Sequence, residues 1–213
     1  MTASGAGVRR GRLLFDGWIA GVGTTSGTRL VLGHWPRSPF GPFSDVMVQD
    51  ADGRRTLFAP SQRVAEFVAA TYTFDRVRVV PVAVDVAGAR WSVTAGPLRL
   101  WLTVGRRTPL GRLLCVVPAR LARSRRWARL CDGPARLLPG VRTLGSAGAG
   151  RREWYGARDL HSLRSVRAEL DGRDLGAPGP LSPPVTFGFG SAPRTPALVR
   201  VCSTVELPQE GKR

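Results

Sequence analysis

Five arginines within ten residues, Arg120, Arg123, Arg125, Arg126 and Arg129, are the densest set of chemistry-bearing side chains in this sequence. A guanidinium keeps its proton in proteins, so such a set binds anions and does not serve as a base or nucleophile. The surrounding stretch from Gly105 to Arg152 holds twelve arginines and one acid, Asp132, and so supplies most of the formal net charge of +17. Three readings follow. Arginines interleaved with Trp127 suit the phosphate backbone of a nucleic acid, with affinity that falls steeply as salt rises. They also suit an anionic membrane surface, with Trp127, Leu121 and Leu130 set between lipid headgroups and Arg120 interrupting the apolar side. In the third reading they are a solvated helical insertion that keeps the protein soluble.

The remaining reactive side chains exclude several chemistries. Cys115, Cys131 and Cys202 are odd in number and widely spaced, without a Cys-x-x-Cys pair, so reduced and mostly buried thiols are expected. His34 and His161 are the only histidines and have no carboxylate at ligand spacing, so neither a metal nor a cofactor is expected. Ser38, Ser44 and Ser162 lie in no Gly-x-Ser-x-Gly setting. Gly188-Phe189-Gly190-Ser191 lacks the spacing and following helix of a phosphate loop.

Length and composition bound the fold that must position these groups. A chain of 213 residues, 43% apolar, suffices for one well-buried core and is short for two. A single domain is expected, ordered over about residues 9–206, with a basic helical insertion at 106–142. Asp16, Arg99 and Arg112 break the most apolar segments, so none approaches the ~18 residues of a membrane-spanning helix. Arg9, Arg10 and Arg12 precede Leu13-Leu14-Phe15, but Asp16 ends that run before a signal peptide develops. A cytoplasmic protein is expected.

Turn residues at 24–27 between two β-prone runs predict an opening hairpin. The loop from His34 to Phe43 holds three prolines, which argues against a regular central strand there. Asp50-Ala51-Asp52-Gly53 between Val46-Met47-Val48 and Thr56-Leu57-Phe58 predicts a second hairpin. Ser61 can cap a helix whose Val64, Phe67, Val68 and Thr71 share one face. Valines from Val77 to Val86 predict a strand with Pro81 at an edge or bulge. Two strands follow at 91–93 and 98–103, then two short helices across 109–131. Strand-like segments close the chain around Trp154, over 163–170 with a turn at Asp171-Gly172, over 185–189 and over 198–205. The sum is an α+β fold, mainly antiparallel, with a closed or nearly closed β barrel and one packed helix.

Two segments carry a resemblance. Ser38-Pro39-Phe40-Gly41-Pro42-Phe43-Ser44-Asp45 resembles the Ser-Pro-x-Gly-Pro-Tyr-x-Glu pattern of the acetoacetate decarboxylase-like family, with Phe43 for Tyr and Asp45 for Glu. Gly150-Arg151-Arg152-Glu153-Trp154-Tyr155-Gly156-Ala157-Arg158 is similar to a Gly-Arg-Arg-x-Trp-x-x-Pro-Lys segment of that family. The resemblance implies a closed antiparallel barrel around a small-molecule site, with the acid at 45 inside it. It also implies that Arg158 stands where the family has its Schiff-base lysine. A guanidinium cannot form that imine, and Lys212, the one lysine, is the penultimate residue of a polar tail. Amine-dependent decarboxylation is therefore not expected. What the resemblance leaves is a small organic acid held by Arg158, Asp45 and Glu153, with Arg152, Phe43, Trp154 and His161 around it. The alternative is a non-enzymatic module that binds nucleic acid or anionic lipid through the five arginines of the insertion.

Overall fold

The computed structural model describes residues 8–9, 11–135, 143–146, 148, 150–188 and 192–208. The strands before the insertion are β1 (Val8–Arg9), β2 (Arg12–Thr24), β3 (Arg29–Arg37), β4 (Phe43–Gln49), β5 (Arg55–Ala59), β6 (Arg76–Val79), β7 (Val82–Ala87), β8 (Arg90–Ala95) and β9 (Leu98–Arg107). Helix α1 (Gln62–Ala69) joins β5 to β6, and Ser61 caps it by accepting from the Val64 amide at 3.4 Å. Helices α2 (Pro109–Leu114), α3 (Ala119–Ala122) and α4 (Arg125–Ala135) follow β9. Strands β10 (Leu144–Ser146), β11 (Arg152–Leu170), β12 (Arg173–Asp174), β13 (Pro178–Gly179) and β14 (Ala197–Glu206) complete the order.

The main path of the sheet runs β6-β5-β4-β3-β2-β14-β11-β9-β8-β7 and is antiparallel except between β5 and β6. Alternation sorts the side chains. In β9, Leu98, Leu100 and Leu102 are buried while Arg99 and Trp101 point outward. The inward residues of eight strands, among them Val22, Leu32, Val46, Phe58, Val93, Leu100, Ala168 and Leu198, form one core inside a strongly curled sheet.

The sequence predicts a closed or nearly closed barrel; the sheet is strongly curled but is an open half-barrel and does not close. Its edge strands β6 and β7 are consecutive in the chain, with only Val80 and Pro81 between them. Two residues allow an antiparallel ladder only through a tight reversal, and a parallel one needs a crossover of about a dozen residues or more. Here the chain does not reverse: Val80, beyond β6, still donates to Ala59 at the end of β5, and Val82 already pairs with Ala95 of β8. The seam is thus crossed by covalent chain, with Pro81 at the edge position its missing N–H favours.

Three further expectations are corrected. Strand β3 is central and runs through Pro36, because the register with β2 slips between Asp16 and Trp18 and removes the demand for that N–H. Residues 185–188 form no strand; Pro183 and Pro184 precede them, and the Thr186 amide is taken by the Gln49 side chain at 2.9 Å. The part of the expected strand at Phe189 lies outside the described residues. Of the three thiols only Cys202 is buried, while Cys131 is half-buried and Cys115 exposed. Among the described residues no helix is long and apolar enough to cross a membrane.

Helices α2, α3 and α4 all lie on β11, and small residues bring them close. A Cβ on Gly156 of β11 would stand 1.9 Å from the Ala122 carbonyl oxygen of α3. The Trp154 indole donates to the Arg123 carbonyl at 3.0 Å beside that contact. Gly156→Ala is therefore expected to cost about 2–3 kcal/mol by overpacking against backbone. Thermal denaturation and trypsin cleavage after Arg120 and Arg126 measure it; an unchanged melting point and cleavage rate would show that the contact relaxes freely.

Candidate functional site

One cavity among the described residues lies on the side of the sheet opposite the main core. Register puts Gly33 beside Asp45 and Trp35 beside Phe43, so these side chains share that side with Val31 and Met47. Strand β2 adds Phe15 and Ile19, β14 adds Ser203 and Val205, and β11 adds Glu153 and Tyr155. Helix α1 covers them with Phe67 and Val68, followed by Thr71 and Tyr72, and Val185, Phe187 and Gly188 close the remaining side. The space within it is about 70 Å³. At roughly 10–15 Å³ of such space per water, it holds a molecule of only a few heavy atoms.

Two carboxyls face this aromatic lining, each 2% exposed. Asp45 accepts from the Trp35 indole N–H at 3.1 Å, its one hydrogen bond among the described residues. A Cβ at Gly33 would meet both partners at 2.5 Å, so glycine makes room for that bond. Burial pushes the Asp45 carboxyl up to about 7, against the smaller opposing pull of Trp35. Asp45 thus exchanges its proton near neutrality. Glu153 is raised too, by burial, although Tyr155, Tyr72 and Ser203 favour its charged form. The Tyr72 hydroxyl lies 2.9 and 2.8 Å from its two oxygens and 2.5 Å from the Tyr155 hydroxyl, and Ser203 donates at 2.8 Å. Burial first, then the charge of Glu153, holds Tyr72 well above the ordinary tyrosine value. The result is one fixed polar wall and one titratable acid, in a lining otherwise mainly apolar and aromatic.

Of the residues named from the sequence, Asp45, Glu153 and Phe43 line this cavity. Arg158, Arg152, Trp154 and His161 are not among its lining residues. Strand alternation separates them: Glu153 and Tyr155 face the cavity, and Trp154 and Gly156 face the insertion. Trp154 is 1% exposed, with the Arg12 guanidinium 5.5 Å from its ring centroid. Arg158 is the extra residue where the β11–β14 register shifts between Ala157 and Asp159, and its buried Nε has no hydrogen-bond partner. Arg152 is exposed at the start of β11. His161 lies 3.2 Å from Asp159, which also accepts two bonds of 2.9 Å from Arg107.

The arginines of the insertion divide. Arg123 is tied to Asp16 at 3.4 Å, in a cluster completed by Arg37 at 3.1 Å and by Arg200. Arg125 is half-buried, whereas Arg120, Arg126 and Arg129 are exposed. Sequence reasoning missed Trp35, Tyr72, Tyr155 and Ser203. Tyr155 was within reach of period-two alternation from Glu153; Tyr72 and Ser203 are brought in by tertiary packing alone.

No protein-family model matches the sequence, and no curated protein matches it. Among solved structures, the chain is similar to an acetoacetate decarboxylase from Legionella pneumophila, at 8% identity and a TM-score of 0.42, over 92% of this chain and 84% of that one. It is also similar to a candidate AttH from Nitrosomonas europaea, at 12% identity and a TM-score of 0.28, over 91% of this chain and 39% of that one.

Proposed function

We propose that this protein binds a small organic acid or carbonyl compound in the cavity under α1, with the protonated carboxyl of Asp45 as donor to a ligand oxygen. The observation that carries the reading is a carboxyl 2% exposed, raised to about 7 and bonded only to Trp35, in a small aromatic cavity. Below that value Asp45 is a neutral donor, and a ligand carboxylate shares its proton in place of repelling it. Above it, Asp45 is an anion and rejects the same ligand. The Tyr72–Tyr155–Glu153 wall supplies the second polar contact and fixes orientation.

Any reaction at such a site runs by proton transfer through Asp45, a group poised near neutral pH. Imine chemistry finds no amine among the described residues that line the cavity; Lys212 lies outside the described residues. A carboxylate clamp by Arg158, which is not among the residues lining the cavity, is a second reading, favoured by the buried Nε without a partner.

A thermal-shift screen separates these readings. Short keto acids, hydroxy acids, ketones and amines are tested at pH 6 and pH 8 on the native protein, Asp45→Asn and Arg158→Ala. Acids or ketones are expected to stabilise the native protein more at pH 6, by roughly 2.7 kcal/mol at 100 times the dissociation constant. Asp45→Asn should lose the pH dependence of that response and Arg158→Ala keep it. Stabilisation by amines at pH 8 instead, or loss only in Arg158→Ala, overturns the assignment.

A further inference from the structure

The helical layer that covers β11 has an outer surface unlike the rest of the molecule. Its inner contacts are made by Gly111, Ala122 and Ala128, all buried. Facing away from them, Leu113 is 70% exposed, Val116 76%, Leu121 40% and Leu130 68%. These are half of the eight large hydrophobic side chains exposed among the described residues, gathered within eighteen positions. Arg112, Arg120, Arg126 and Arg129 are exposed between them, with Arg106 at the end of β9. None of these five has an ion-pair partner among the described residues, whereas Arg107 and Arg123 are held by Asp159 and Asp16.

We propose that this outer surface docks on an anionic lipid bilayer. Unpaired guanidinium groups are drawn to the headgroup charge, and four exposed aliphatic side chains find hydrocarbon at the depth where those headgroups end. A nucleic-acid backbone complements the arginines but gives Leu113, Val116 and Leu130 nothing to bury against. A second copy of the chain complements the leucines but brings the same positive surface against itself. The bilayer alone matches both properties. The docking residues lie at the end of β9 and in and between α2, α3 and α4, and none of them lines the cavity, so this surface is independent of it.

Co-sedimentation with vesicles tests it, using phosphatidylcholine alone and phosphatidylcholine mixed with phosphatidylglycerol. The native protein is expected to pellet with the mixed vesicles at low salt, to be released by high salt, and to stay in solution with the neutral ones. Leu113→Asp with Leu130→Asp, both at exposed positions, should lower partitioning at least about tenfold without changing the melting point, since buried apolar area sets the strength of such binding. Arg126→Glu with Arg129→Glu should do the same. Failure to pellet with mixed vesicles overturns the proposal. So does binding that survives the aspartate pair and is matched on a DNA duplex, which identifies a simple polyanion surface. Self-association abolished by the aspartate pair, in place of vesicle binding, assigns the surface to a second copy and also overturns it.

Discussion

Asp45→Asn is expected to flatten the pH dependence of stability and to make the protein more stable than the native chain at pH 8. Burial lifts the Asp45 carboxyl to about 7, against an ordinary value of 3.8. Between those values the folded protein holds a proton that the unfolded chain has released. Stability from this group is therefore fully present below the unfolded value and is lost as pH rises through about 7. At about 1.4 kcal/mol per unit, the loss is on the order of 4 kcal/mol. Asparagine is neutral throughout and keeps an oxygen to accept from the Trp35 indole, so it removes the titration while retaining the shape. Glu153 is also raised and acts in the same direction, which leaves part of the slope in place. Chemical denaturation of both proteins at pH 5 and pH 8 measures the difference; parallel profiles would contradict a buried, protonated Asp45.

Asp16→Asn should cost about 3 kcal/mol at neutral pH, because it strands positive charge that has been partly withdrawn from water. Asp16 is 5% exposed and pairs with Arg37, Arg123 and Arg200. Burial alone would raise its carboxyl, but the charges of Arg200, Arg37 and Arg123 outweigh that and hold it below the ordinary value. The sign is opposite to that of Asp45: this contribution is present above the unfolded value and is lost as pH falls through the folded one. The two carboxyls thus bracket the pH of greatest stability from opposite sides. Because Arg123 belongs to the insertion, the substitution should also speed tryptic cleavage there. A loss below about 1 kcal/mol by denaturant titration would mean that solvent already screens the cluster.

Period-two alternation made most strands legible, as in Leu98, Leu100 and Leu102 of β9, and the turns at Asp50–Gly53 and Asp171-Gly172 fell where their residue types require. What alternation cannot show is whether a sheet closes. That was decided at Val80 and Pro81, where the chain runs on without the tight reversal that would pair β6 with β7. Prolines misled twice, in opposite directions: Pro36 sits within a central strand beside a bulge, and Pro183 with Pro184 precedes a segment whose valine and phenylalanine suggested a strand.

At the site, the sequence picked out Asp45 and Glu153 but gave no account of which neighbours share their side of the sheet. Alternation along β11 parts Glu153 and Tyr155 from Trp154. The bulge at Arg158 is invisible to it, because a single extra residue leaves no compositional trace. Tyr72 lies beyond the end of α1, where no helical period continues, and only the packing of α1 on the sheet brings its hydroxyl to Glu153.

The most direct test of small-molecule binding at Asp45 is a ¹H–¹⁵N spectrum of the six tryptophan indoles, recorded during titration with short organic acids and ketones at pH 6. Trp35 donates its indole N–H to Asp45 and lines the cavity, so its resonance reports on both. The account predicts that Trp35 moves with ligand, while Trp101 and Trp127, which do not line the cavity, stay in place. Movement of Trp127 with Trp35 unchanged, or no movement of Trp35 with any of these compounds, would contradict it.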